Sequence, residues 1–243
     1  MKYAFLFTIL LFVSCSTSHK LIIEEPKHTQ INYIQHMAYS LVYNEANEQA
    51  DWVAYELLPY EIENKFKRSN KFLVDTMVVS QSANNNDYLH SGYDRGHLAP
   101  AADMSWNKQA MKESFYYSNI SPQLAGFNRG IWKDLESQVR EWAKKYGSIY
   151  IVSGPVFENI KTRIGENEVA VPTHFYKAVV VYNDSIHQGI AFYFPHEKCK
   201  GDIFDYALSI NELEKITRMN LYYDLPNRIE RKIESHVELK FWE

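Results

Sequence analysis

The sequence predicts an α+β fold. Three observations point to it. Strand-like and helical patterns are mixed without the regular alternation of a doubly wound sheet. A long amphipathic helix is expected over Arg129–Tyr146. Apolar runs with frequent β-branched residues recur at Ser148–Ser153, Thr173–Tyr182 and Gly189–Phe194. The 243 residues suffice for one substantial domain, and 46% hydrophobic with 23% charged content is ordinary for a globular chain.

The N-terminus reads as a leader. Lys2 precedes an apolar run, Tyr3–Val13, too short to span a membrane and suited to a signal h-region. Ser14-Cys15 resembles the lipobox of bacterial lipoproteins, with Phe12 where Leu is usual. Residues 1–15 are expected to be a signal peptide with a lipobox, 16–27 a polar tether and 28–243 the folded domain. A bacterial cell-envelope location follows, either lipid-anchored to the membrane through Cys15 or secreted and periplasmic. If Cys15 carries lipid, Cys199 has no disulfide partner.

Within the domain, alternation of Phe72, Val74, Thr76 and Val78 predicts a strand over Phe72–Val79. Ser82–Asp87 reads as a loop and Trp106–Tyr117 has helical character. Ser209-Ile210-Asn211-Glu212 has the form of a capping box and opens a helix to about Thr217. Arg218 follows where a helix-ending glycine is expected.

The formal charge is −4. A protein that binds nucleic acid stoichiometrically and tightly normally carries a basic excess, so this reading is disfavoured; an enzyme needs only a local basic cleft.

Chemistry concentrates in two blocks. Asp94-Arg95-Gly96-His97 packs a carboxylate, a fixed cation, a glycine and an imidazole into four residues. Histidine can take a proton from water near neutral pH, a carboxylate nearby can fix its tautomer, and arginine can hold phosphate oxygens in bidentate fashion. Gly96 could permit a backbone conformation closed to other residues. The second block runs from Ser118-Asn119 to Asn128 and the helix after it. Ile131, Leu135, Val139 and Trp142 form its core stripe, and Asn128, Trp132, Glu136 and Arg140 a second stripe every four residues. Read alone, the first block could be a turn with a buried ion pair, and the second an ordinary solvated helix face. Lys108, Lys112 and Lys133 either rim a cleft or are solvated surface.

Together, Asp-Arg-Gly-His, Asn128 31 residues after His97, and Glu136 eight residues further on resemble the sugar-non-specific DNA/RNA endonucleases. That family includes secreted bacterial nucleases and mitochondrial endonuclease G. The resemblance covers about Arg68 to Pro226. It implies the ββα-metal (His-Me finger) fold, with a mainly antiparallel central sheet flanked by helices. It implies His97 as general base, Asn128 as metal ligand, and Glu136 reaching the metal or its waters. Arg95, Arg140 and Arg68 are expected near the scissile phosphate, with Asp94 and Asn119 as supports. It further implies DNA and RNA substrates, 5′-phosphate products, a divalent metal (Mg²⁺ first, Mn²⁺ as the alternative) and, in some members, a homodimer. The competing reading is a catalytically inactive envelope lipoprotein that binds nucleic acid; the intact set of His97, Asn128, Glu136 and Arg95 argues against it.

Overall fold

The computed structural model describes residues 23–243 apart from Gln30 and Asn64. The leader, with Cys15, lies outside the described residues. Seven strands build the central sheet: β1 (Tyr33–Gln35), β2 (Ser40–Asn44), β3 (Gln49–Leu57), β6 (Ile149–Val156), β9 (His174–Tyr182), β10 (His187–Pro195) and β11 (Ala207–Leu208), in the order β1-β2-β3-β6-β9-β10-β11. Every pairing is antiparallel. Two small ladders lie outside this sheet, β4 (Asp94–His97) with β5 (Ile120–Gln123) and β7 (Arg163–Ile164) with β8 (Val169–Ala170).

Both faces of the sheet are covered, so its central strands are apolar nearly throughout. The strands' period of two sorts the residues by face. Val53, Tyr55, Ile151, Phe175 and Val179 face one layer, which holds helix α4 (Lys133–Tyr146) and the β4–β5 ladder. Trp52, Ala54, Val152, Tyr176 and Val180 face the other. Helices α5 (Ile210–Thr217) and α6 (Asn227–Ser235) cover that second face with Ile210, Leu213 and Ile233. The expected core stripe of α4 is buried in full: Ile131, Leu135, Val139 and Trp142 are at most 7% exposed. Trp142 donates its indole N–H to the carbonyl of Trp242 at 2.8 Å, which pins the C-terminal turn Leu239–Trp242.

Several local expectations change. No strand forms over Phe72–Val79; Leu73 makes a single bridge to Tyr116 and the chain then turns. Asp75 drives the turn. Its carboxylate accepts the Met77 N–H at 2.9 Å, a local bond that competes with a ladder, and is buried against His36 (2.9 Å) and the Ser118 hydroxyl (2.6 Å). The loop expected over Ser82–Asp87 contains the start of a short helix, Asn85–Tyr88, because Asn84 accepts the Asn86 N–H and Asp87 accepts that of Asn84. Trp106–Tyr117 shrinks to α2 (Lys108–Glu113), capped by Asn107. The end of the expected tether, residues 23–27, packs on the sheet: Ile23 joins the second layer, and the half-buried Tyr33 hydroxyl donates to Glu25 at 2.6 Å.

The capping box forms as expected, with Glu212 N–H donating to the Ser209 hydroxyl at 3.2 Å. At the other end of α5, Arg218 takes the left-handed position itself (φ 58°). A side chain there costs free energy that glycine avoids. Arg218→Gly is therefore expected to raise stability by roughly 0.5–1 kcal/mol. Urea denaturation would measure this, and an unchanged or lower midpoint would contradict the cost assigned to this turn.

Candidate active site

The antiparallel register of β4 and β5 sets Asp94 opposite Gln123, Gly96 opposite Ser121 and His97 opposite Ile120. Gly96 has no positive φ; its reason is space. A Cβ there would lie 2.1 Å from Cδ of Gln123, whose buried amide folds across the strand with neither polar atom paired. Gly96→Ala should thus cost about 1–3 kcal/mol through overpacking. Thermal unfolding measures it, and an unshifted midpoint would mean that Gln123 swings aside freely.

Past β5 the chain enters a wide turn, Asn128–Trp132, kinked at Gly130 (φ −104°, ψ −119°), and then α4. The Trp132 indole donates to the carbonyl of His97 at 3.2 Å, which locks this turn against β4. Asp94 bonds Asn128 and Arg129. It accepts the Asn128 amide N–H at 2.9 Å and a two-pronged grip from the Arg129 guanidinium at 2.8 and 2.6 Å. No bond joins it to His97, so it does not set that tautomer. Burial pushes the Asp94 carboxyl up, but the bonds from Arg129 and Asn128 outweigh it and hold it below its ordinary range. Because only the NH₂ of an amide can face a carboxylate, the Asn128 oxygen is left free to accept a bond or ligate a cation.

That cleft, of about 380 Å³, brings together His97, Asn128, Glu136, Arg68 and Arg95, with Arg129 and Lys133 at its edge. His97 is 7% exposed and packs against Phe115 and Phe72, with ring centroids at 4.9 and 5.7 Å. Its Nε2 is shut off from solvent and has no hydrogen-bond partner among the described residues. Burial, reinforced by the charge of Arg68, lowers its pKa to about 3, so the ring is neutral at physiological pH. Arg95 is held by the Tyr117 hydroxyl (3.1 Å) and Asn85 Oδ1 (2.7 Å), its guanidinium over Phe72 at 5.3 Å. Arg68 lies over Phe115 at 5.1 Å. Asn119 is fully buried, accepting the Ala99 N–H at 2.9 Å and donating to the carbonyls of Ala99 and Ser114.

Arg140 departs from expectation: it does not line the cleft but binds the fully buried Asp103 at 3.0 Å, and Tyr55 donates to the same carboxylate at 2.8 Å. Lys177 was given no role from the sequence. On β9 it shares the face of Phe175 and Val179, is 0% exposed, and sets its ammonium 4.7 Å from the Trp132 ring and 3.4 Å from the carbonyl of Leu98. Burial raises Glu136 and lowers Lys177, and the attraction between the two opposes both shifts. The signal for Lys177 was available: a lysine within an otherwise apolar strand is almost never buried without a partner.

The oxygens of Asn128 and Glu136 suit a hard divalent cation that keeps most of its waters. No group of three or more His, Cys, Asp or Glu side chains forms a metal cage among the described residues. The fit is thus to a metal held by few protein atoms and completed by water and substrate oxygens.

The chain matches the model of the DNA/RNA non-specific endonucleases over residues 18–228. It is 33% identical over 208 residues to the mitochondrial nuclease of Saccharomyces cerevisiae, covering 76% of this chain and 63% of that protein. It is 37% identical over 156 residues to mitochondrial endonuclease G of Bos taurus, covering 59% and 52%. To nuclease C1 of Cunninghamella echinulata it is 31% identical, covering 80% and 84%. The match therefore spans only about half to two thirds of the first two relatives. A chain in the crystal structure of an EndoG/EndoGI complex superposes with a TM-score of 0.75 at 29% identity, covering 82% of this chain and 89% of that one, which establishes the ββα-metal α+β fold. The curated relatives include mitochondrial nucleases of yeast, frog and cattle, and this overturns the bacterial-envelope location expected from the leader. An apolar run after a lysine is a hydrophobicity signal and names no compartment by itself. Matched across most of its length and alike in fold, the chain belongs to the DNA/RNA non-specific endonuclease family.

Proposed function

We propose that this chain is a metal-dependent endonuclease that hydrolyses phosphodiester bonds of DNA and RNA with little preference for sequence or sugar, leaving 5′-phosphate ends. One observation carries the reading: a neutral histidine, 7% exposed, lines the same cleft as Asn128, Glu136, Arg68 and Arg95.

His97 takes a proton from the water that attacks phosphorus, and the neutral ring is ready to accept it. Asn128 and Glu136 would hold the metal, Mg²⁺ before Mn²⁺, and Asp94 aims the Asn128 oxygen by occupying its NH₂. When bound, the metal supplies positive charge to a non-bridging phosphate oxygen and to the leaving 3′ oxygen. Arg95 and Arg68 hold the phosphate through charge-assisted bonds. Arg140 acts through Asp103, and Lys177 balances the charge of Glu136. Contacts centred on the phosphate carry no base information, which supports cutting without sequence preference.

The test is digestion of an end-labelled single strand with and without a chelator. The reading predicts cutting that stops when metal is removed and fragments that a ligase can rejoin through their 5′-phosphates. Cutting indifferent to the chelator, or fragments ending in 3′-phosphate, would contradict it.

A further inference from the structure

Arg68 bounds the catalytic cleft on one side. On the other side of residues 66–69 lies a second groove of about 740 Å³, lined by Phe66, Lys67, Ser69, Lys108, Met111 and Lys112. The segment is a shared wall: Arg68 lines the catalytic cleft while Lys67 and Ser69 line the groove. The wall is anchored on both flanks. Phe66 N–H donates to the carbonyl of Ser105 at 2.9 Å, and the Arg68 guanidinium lies over Phe115, the ring that packs edge-on against His97.

Two features of the groove have no structural use within the protein. Lys67, Lys108 and Lys112 are exposed, and none pairs with a carboxylate among the described residues. Phe66 keeps 41% of its surface exposed beside them. In a chain of net charge −4, three unpaired cations around an open aromatic ring form a local basic surface. Lysines meet phosphates, and an exposed ring stacks on an unpaired base; a single strand of nucleic acid offers both together. A duplex keeps its bases stacked on each other and leaves the ring without a partner.

We propose that this groove binds the nucleotides flanking the scissile phosphate in a single-stranded substrate, with Lys67, Lys108 and Lys112 on phosphates and Phe66 under a base. The proposal rests on the nuclease reading above and adds a source of strand preference to it.

The test compares the wild type with K67A/K108A/K112A and with F66A on a 12-nucleotide single strand and on a dinucleotide, which reaches no further than the cleft. On the 12-mer the triple variant is expected to raise KM about tenfold at unchanged kcat. The slope of log kcat/KM against log salt should flatten by about 2, because each phosphate contact to a single strand contributes about 0.7. F66A should raise KM for the 12-mer about fivefold or more, as loss of one stacked base implies. Dinucleotide cutting should not change in either variant. An unchanged KM and salt slope on the 12-mer would overturn the proposal, as would an equal loss on both substrates, since the lysines would then act through the fold. Fluorescence anisotropy of the labelled 12-mer without metal keeps the two readings separate. A wild type that cuts nothing but binds the strand through these lysines would sink the nuclease reading and leave the groove assignment standing.

Discussion

His97→Ala is expected to cut supercoiled plasmid about 10³-fold more slowly than the wild type, within the range that a positioned general base contributes. The imidazole is already neutral, and it lines the cleft with Asn128 and Glu136. Without it the attacking water has no base, whereas Arg68 and Arg95 remain to bind substrate. The loss should therefore fall on kcat with KM nearly constant. A second readout separates this from unfolding. In the unfolded chain the ring takes a proton near pH 6.5, but in the fold only near pH 3. Between those values the unfolded state binds more protons, so the contribution of neutral His97 is present above pH 6.5 and is lost as pH falls. The wild type should lose up to about 1.4 kcal/mol per pH unit through this group, a slope that His97→Ala lacks. Urea titrations at pH 7 and pH 4.5 would measure it, and parallel losses in both proteins would show that His97 is not buried neutral.

Lys177→Met should carry the next largest effect. The change keeps the side chain's volume but removes the largest of the three cationic charges that offset burial of Glu136, leaving those of Arg140 and Arg68. Glu136 is only partly buried and keeps Arg140 and Arg68 nearby, so the cost falls below the about 3–5 kcal/mol of an isolated buried charge and is met by taking up a proton. The Glu136 pKa, raised already by burial, rises further when the attraction to Lys177 is lost. Glu136 is then protonated at neutral pH and poor at holding a cation. Cutting at pH 7 should fall at least about tenfold and recover as pH rises, since deprotonation restores the carboxylate. The pH–rate profile at saturating Mg²⁺ decides this. A uniform loss at every pH would mean that Lys177 only fills space.

Much of the site was legible in the sequence because its chemistry is local. Asp94, Arg95, Gly96 and His97 are consecutive, and the period of the following helix places Glu136 over the same cleft. Sequence spacing could not show which partners these groups choose. Asp94 was expected as a support, and the partners it takes are Asn128 and Arg129, not the adjacent histidine. Arg140 was expected at the phosphate and instead neutralises Asp103, 37 residues before it. Both outcomes are contacts between segments 34 and 37 residues apart, which sequence spacing does not specify. The strand β3 passed unread because Gln49, Asp51 and Glu56 interrupt the apolar pattern and Ala and Glu in that stretch favour helix. Conversely, Phe72–Val79 reads as a strand by alternation, yet Val79 is 98% exposed, since one buried aspartate at position 75 satisfies the local backbone better than a ladder would.

The most direct test of the central claim is incubation of residues 20–243 with supercoiled plasmid and with single-stranded RNA, with and without Mg²⁺, beside His97→Ala and Asn128→Ala. The account predicts metal-dependent cutting of both substrates by the wild type and its near-complete loss in both variants. A wild type that cuts neither substrate with any divalent metal, or a His97→Ala that cuts as fast as the wild type, would contradict it.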